Sequence, residues 1–289
     1  MILRGVVVPL VSAAMLVSFV DRSASAVDIY VLSGTSLGSA STTIPTDFGV
    51  IDSTTGVYTS IQTDINAGNT LWGLAYNPTV SGFYAVSNEG GFTGGGLRLL
   101  NTAGVLLDPV GSGFSNYSMA YSPAEDAIYG YNYNTDQWYT MNPSTGVRQN
   151  TGAGPGVAAD PTGGRGTFLN GTYYTTFRNE GRSFGSVDTS TSVFSYTAIS
   201  LDAAYAFMNL ATDGTTLFGV FGDGTSTDLY TINPADGGLT LETAVTGMPA
   251  GSYFYGAGVA AVPEPSAVAL AVLGMAGGFR SYRRRRAGR

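Results

Sequence analysis

Residues 48–58 read Phe48-Gly-Val-Ile-Asp52-Ser-Thr-Thr-Gly56-Val-Tyr58: an apolar run, a polar turn and the start of a second apolar run. An Asx side chain can cap such a turn by accepting from the backbone just ahead of it, and glycine takes up the positive φ at its end. Related turns return at Asn101-Thr-Ala-Gly104, Asn142-Pro-Ser-Thr-Gly146, Asp188-Thr-Ser-Thr191 and Asn233-Pro-Ala-Asp-Gly237. Their Asx residues are 49, 41, 46 and 45 positions apart.

Two further landmarks keep the same beat. An aromatic opens a short alternating strand at Tyr30, Tyr84, Tyr129, Tyr174 and Phe218. The last three spacings are 45, 45 and 44; the first is 54, which places a longer loop at residues 33–47. A strand of small residues running into a turn is read at Leu74-Ala75-Tyr76-Asn77-Pro78, Met119-Ala120-Tyr121-Ser122-Pro123, Val157-Ala158-Ala159-Asp160-Pro161 and Leu210-Ala211-Thr212-Asp213-Gly214. Period-2 runs between Gly, Pro, Asn and Asp clusters are strands. Four strands in about 45 residues is the repeat of a β-propeller blade, with the small residues of the first strand facing a crowded channel.

The sequence therefore predicts an all-β, five-bladed propeller. Its ends are complementary fragments of one repeat. Tyr255-Gly-Ala-Gly-Val-Ala-Ala-Val262 reads as a first strand with no blade after it, and Tyr30 lies on a second strand with no first strand before it. Pairing the two closes the ring and removes its open edges. A sandwich or a solenoid gives no reason for that complementarity.

The chain ends carry addresses. Arg4 followed by the apolar run Gly5 to Val20 and by Ala24-Ser25-Ala26 has the form of a signal peptide with its cleavage site, so residues 1–26 are expected to be removed. Sixteen apolar residues containing Pro9 fall short of the roughly 20 that a membrane span needs. Residues 27–262 form the expected propeller domain, and residues 263–289 a separate tail: Pro263-Glu264-Pro265-Ser266, an apolar run from Ala267 to Phe279, then Arg280, Arg283, Arg284, Arg285 and Arg286. Its 13 apolar residues make a helix of about 20 Å against a hydrocarbon core of about 30 Å. Ser281, Tyr282 and snorkelling arginines can make up the difference. Positive charge stays on the cytoplasmic side, so the tail is expected to halt in the inner membrane with the domain outside.

Val262-Pro263-Glu264-Pro265-Ser266, the apolar run and the arginine cluster, in that order, resemble the PEP-CTERM sorting signal of bacterial envelope proteins. The resemblance covers residues 262–289. It implies a substrate of exosortase, a membrane protease/transpeptidase that cuts near the Pro-Glu-Pro motif, and an association with exopolysaccharide and biofilm. It implies no activity for the domain itself.

Composition narrows the chemistry. Cysteine and histidine are absent, and all 13 basic residues are arginines. A Ser-His-Asp triad, a thiol nucleophile, a zinc-thiolate site, a Schiff base and a Walker-type phosphate loop are all excluded. No cofactor and no metal site is expected. Eight arginines lie in the two ends, leaving Arg98, Arg148, Arg165, Arg178 and Arg182 against 18 of the 20 acids, a net of −13. Nucleic acid requires clustered positive charge and is not an expected partner.

In a four-stranded blade the Asx turns share one face, here termed the turn face, and the second-to-third loops share the opposite one, the loop face. Those loops are expected at residues 33–47, 88–96, 132–136, 178–185 and 222–228. They carry the candidate ligand residues Glu89, Phe92, Tyr133, Asp136, Arg178, Glu180, Arg182 and Asp223, and the same loops are expected to hold Phe184 and Asp228. Aromatic rings stack on sugar faces and Asn and Asp bond hydroxyls, so the first functional reading is a non-catalytic binding or matrix module for polysaccharide. The second is a glycan-active hydrolase or lyase, in which Glu89, Glu180 and Asp223 converge on the channel. The strand-opening aromatics, Trp72 and Trp138 are read as packing core. Asp223-Gly-Thr-Ser-Thr-Asp228 is read as a plain turn, because it lacks the alternating ligands and closing Glu of an EF-hand calcium loop. Asn116-Tyr-Ser118 and Asn170-Gly-Thr172 match the glycosylation acceptor pattern by accident.

Overall fold

A computed structural model describes residues 26–35, 44–87, 96–107, 109–111, 118–132, 136–153, 165–177, 183–189, 195–200 and 208–260. They are all-β, and their strands form five antiparallel sheets. Blade one holds β1 (Asp28–Gly34), β2 (Asp47–Asp52) and β3 (Tyr58–Gln62), completed on the inside by β19 (Tyr253–Val259). Blade two is β4 (Leu71–Asn77), β5 (Gly82–Ser87) and β6 (Leu97–Asn101). Blade three is β7 (Ser118–Ser122), β8 (Ala127–Asn132), β9 (Gln137–Met141) and β10 (Arg148–Ala153). Blade four is β11 (Gly166–Leu169), β12 (Thr172–Phe177), β13 (Ser183–Asp188) and β14 (Ser195–Ser200). Blade five is β15 (Asn209–Thr212), β16 (Leu217–Gly222), β17 (Thr227–Ile232) and β18 (Leu239–Ala244).

The ring closes as the repeat requires. β19 pairs antiparallel with β1, Ile29 opposite Val259 and Tyr30 opposite Gly258. The inner strands β19, β4, β7, β11 and β15 pack in that order, with β15 returning to β19. Five apolar clusters fill the five seams. Ile29, Val31 and Ile51 of blade one meet Ala211, Phe218, Val220 and Leu229 of blade five. Leu32, Phe48 and Tyr255 meet Leu71, Trp72 and Phe83. Tyr84, Val86 and Leu97 meet Met119, Ile128 and Tyr139. Tyr131 and Trp138 meet Tyr173 and Val187. Leu169 and Phe184 meet Met208, Leu210 and Leu217.

This layering explains the strand sequences. β16, Leu-Phe-Gly-Val-Phe-Gly, lies between two neighbouring blades and is buried along its whole length. A strand covered on both faces reads as a nearly continuous apolar run. β18, Leu-Thr-Leu-Glu-Thr-Ala, is an outer edge and is mostly exposed. Polar side chains on an edge discourage further pairing.

The repeated turn glycines have a second task. The outer edge of each of three blades (β3 in blade one, the segment 109–111 in blade two, β18 in blade five) meets the turn of the next. A Cβ on Gly104 would lie 2.8 Å from the Gln62 Cβ, one on Gly146 2.9 Å from the Gly111 Cα, and one on Gly56 2.5 Å from the Ala244 carbonyl oxygen. All three have φ between 66° and 82°. Glycine is needed at these joints both for the left-handed backbone and for the close approach.

Three expectations need correction. Blade two is a three-stranded sheet; past its turn the described residues meet β6 through the bridges Leu100–Leu106 and Leu97–Gly111, with the Leu107 and Val110 amides donating to the Leu99 and Leu97 carbonyls at 2.8 and 2.7 Å. Pro109 lacks an N–H there, so a regular fourth ladder is interrupted. The inner strand of blade four is β11, Gly166–Leu169, and not residues 157–161, which lie outside the described residues. β11 and β12 join through Asn170-Gly171, both at positive φ (51° and 78°), the two-residue hairpin that Asn-Gly favours. The loop expected at residues 178–185 ends earlier, because Ser183 already starts β13. Phe184 is core, stacked on Tyr174 with ring centroids 5.6 Å apart.

Candidate functional site

The loop face is built from the second-to-third loops of the blades and from the connections between blades. Of the eight candidate ligand residues, Asp136 and Asp223 are described; Glu89, Phe92, Tyr133, Arg178, Glu180 and Arg182 lie outside the described residues.

Both described acids brace their own blades. Asp136 has a positive φ of 48° at the foot of the β8–β9 loop, and its Oδ1 accepts from the Tyr131 hydroxyl at 2.6 Å. Burial, reinforced by that carboxylate, pushes the Tyr131 phenol well above its ordinary range. The Asp223 Oδ1 accepts from the Thr225 hydroxyl at 2.6 Å and from the Thr225 and Ser226 amides at 2.8 Å. The Thr225 hydroxyl first, then the Ser226 amide, hold the Asp223 carboxyl below the usual carboxylate range. Its loop also touches the closing strand: Asp223 bridges to Tyr253, and the Gly224 amide donates to the Ser252 carbonyl at 3.2 Å. Asp228 lies on β17 and not in the loop. Two more loop-face acids do similar work. The Asp47 Oδ1 accepts from the Asp64 amide at 2.9 Å, and the Asp64 Oδ1 from the Gly68 amide at 2.6 Å.

Where the inner strands begin on this face, the structure brings together residues that the sequence reading passed over. Arg165, immediately before β11, is buried, and its guanidinium donates to the Phe254 carbonyl of β19. The Asn209 side-chain amide, from the first residue of β15, donates to the same carbonyl at 3.2 Å. Here the β1–β19 ladder shifts register: Leu32 pairs with Gly256 and Ser33 with Phe254, leaving Tyr255 as the extra residue of a bulge. The Arg165 Cζ stands 5.7 Å from the centroid of the Trp72 ring, which packs on Tyr255 at 4.8 Å. Blades one, two, four and five thus converge on one carbonyl and one guanidinium. Elsewhere on this face, in the connection between β3 and β4, the Asn66 amide donates to the Ser87 hydroxyl at 2.9 Å. The Asn-Gly turn at 170–171 was the signal that could have found Arg165: a hairpin there places it at the head of an inner strand.

On the opposite face the chain leaves β19 at Val259 and runs directly into its tail. Residues 261–286 match the PEP-CTERM protein-sorting motif. The tail is a PEP-CTERM sorting signal. The PEP-CTERM motif marks an exported protein sorted to the cell envelope, and it implies processing by an exosortase, a membrane protein. No curated protein matches the chain. Among solved structures it is similar to TolB from Acinetobacter baumannii (13% identity, TM-score 0.47, covering 75% of this chain and 53% of that one). It is also similar to a chain of a nidogen/laminin complex (9% identity, TM-score 0.49, 80% and 98%). A third is a protein of unknown function from Bacteroides thetaiotaomicron (12% identity, TM-score 0.49, 81% and 68%). The chain spans about half the length of the TolB structure. The propeller assignment rests on the strand order and seams of the chain itself.

Proposed function

We propose that this is a non-catalytic binding or structural propeller of the cell envelope, which associates with exopolysaccharide through its loop face. The observation that carries the reading is the use made of the carboxylates on that face. Asp47, Asp64, Asp136 and Asp223 each accept hydrogen bonds that stiffen a loop. A general acid needs a carboxyl whose pKa is raised toward the working pH, whereas that of Asp223 is lowered. Among the described residues, segments braced in this way suit recognition of an extended polymer, because little of their ordering remains to be done on binding. The net charge of −13 between the two ends, from five arginines and 18 acids, favours an uncharged polysaccharide over a polyanion.

In this reading residues 1–26 are a signal peptide, 27–262 the propeller and 263–289 the sorting segment. The tail holds the chain in the inner membrane, with Arg280 and Arg283 to Arg286 on the cytoplasmic side, until the exosortase acts at Pro263-Glu264-Pro265. Two measurements test this. Residues 27–262 are expected to be retained on dextran or cellulose and to pass through alginate; passage through all three would reject the polysaccharide reading. The intact mass of the protein from its native cells is expected to lack residues beyond about Pro265. A mass that still includes Arg283 to Arg286 would reject the processing.

A further inference from the structure

We infer that the turn face is the surface that meets the membrane-embedded processing enzyme, and that the loop face points away from it throughout sorting. Val259, the last residue of β19, sits opposite Ile29, which in turn faces Ile51, one residue before the turn residue Asp52. Val27 is pinned to that same turn. Its amide donates to the Ser53 hydroxyl at 2.8 Å, and its carbonyl accepts from the Ser53 amide at 3.0 Å. Both ends of the domain therefore emerge on the turn face.

The tether is short. Pro263 is four residues beyond Val259 and Pro265 is six. A fully extended chain reaches at most about 14 Å and 22 Å over those lengths. The seven residues of β19 separate the two faces by about 20 Å at 3.3 Å per residue. An enzyme acting on Pro263 cannot be on the loop-face side, and Pro265 could approach that side only if the chain doubled back fully stretched along the ring wall. The enzyme must work close against the turn face.

That face presents a surface suited to a membrane protein. Val57, Val105 and Val147 follow the repeated turns of blades one, two and three, and Val80 lies in the β4–β5 turn of the same face. Their exposures are 48%, 52%, 60% and 45%. Single exposed aliphatics are ordinary; here they recur at equivalent points around the rim from which the tail leaves. The four valines offer an integral protein's extracytoplasmic surface apolar contact that costs no charge desolvation of their own; they lie on blades one, two and three, while the exposed acids of the same face, Glu125, Asp126, Asp213 and Asp236, stand in turns of blades three and five.

The test uses the full chain in its native cells. A photo-crosslinking amino acid is placed at Val57 or Val147 on the turn face, and at Thr63 or Ser226 on the loop face. Adducts identified by mass spectrometry as the exosortase are expected from the first pair only. In parallel, the triple variant Val57→Glu, Val105→Glu, Val147→Glu is expected to accumulate precursor retaining Arg283 to Arg286 severalfold over the parent, while its thermal melt is unchanged. The pair Thr63→Glu, Ser226→Glu is expected to process normally. Exosortase adducts of equal strength from the loop face, or equal processing of both variants, would overturn the assignment. Adducts with lipid alone would replace the enzyme by the bilayer as occupant of the face and overturn it also. Polysaccharide binding enters none of these readouts, so failure here is separable from failure of the binding role.

Discussion

A chain ending at Pro249, and so lacking β19, is expected to show no cooperative thermal unfolding. One ending at Val262, lacking only the tail, is expected to melt like the full protein. The difference lies in what β19 supplies. It provides the inner edge of blade one, through the ladder from Ile29–Val259 to Gly34–Tyr253. It also stands in two seams, with Phe254 and Val259 in the cluster shared with blade five and Tyr255 in the cluster shared with blade two. Phe254 and Tyr255 are 1% and 0% exposed. Burying a large apolar side chain contributes about 1.5–3 kcal/mol, against a net domain stability of about 5–15 kcal/mol. Losing three such side chains and a whole ladder removes most of that margin. It also leaves Arg165 and Asn209 without the Phe254 carbonyl to which both donate. Circular dichroism melts and limited proteolysis of the two truncations would check this. A cooperative transition at the same temperature in the shorter chain would show that the ring does not depend on its closing strand.

That strand was legible in the sequence because its fragment and the one at Tyr30 add up to one blade. The turn glycines were legible as turns, but their role as joints was not. Gly146 meets Gly111 only after the segment beyond the blade-two turn has been laid against blade three, and that proximity leaves no local mark. The inner strand of blade four was misplaced because Val157-Ala158-Ala159-Asp160-Pro161 imitates the small-residue pattern of the other blades, while Gly166-Thr-Phe-Leu169 does not. The error concealed Arg165, which entered the reading only as one of five arginines in the net charge. The candidate acids were chosen by loop position, and position alone does not tell a carboxylate aimed at solvent from one holding Tyr131 or capping its own turn. Local spacing reported the blades; what each polar group does depended on partners brought close by ring closure.

Trp138→Ala is expected to destabilise the domain by about 3–5 kcal/mol. For a domain of this size, that lowers the melting temperature by about 6–20 °C. Trp138 is fully buried in the seam between blades three and four, 4.9 Å from Tyr131 within its own blade and in an edge-on contact at 5.8 Å with Tyr173 of the next. The indole thus occupies the space between two sheets, and no single neighbour can collapse into the gap its removal leaves. Tyr131 would lose its packing partner while still donating to Asp136, so the base of the β8–β9 loop would loosen as well. The variant also separates the two roles open to an aromatic in a carbohydrate-binding domain. A seam residue, once removed, lowers the melting temperature but leaves polysaccharide retention intact well below it. A stacking platform does the reverse. A melting temperature unchanged from the parent, with retention on the neutral polysaccharides lost, would move Trp138 from the packing to the binding surface. Trp72, the other of the two tryptophans, then serves as the fluorescence reporter for the melt, since it lies at a different seam, between blades one and two.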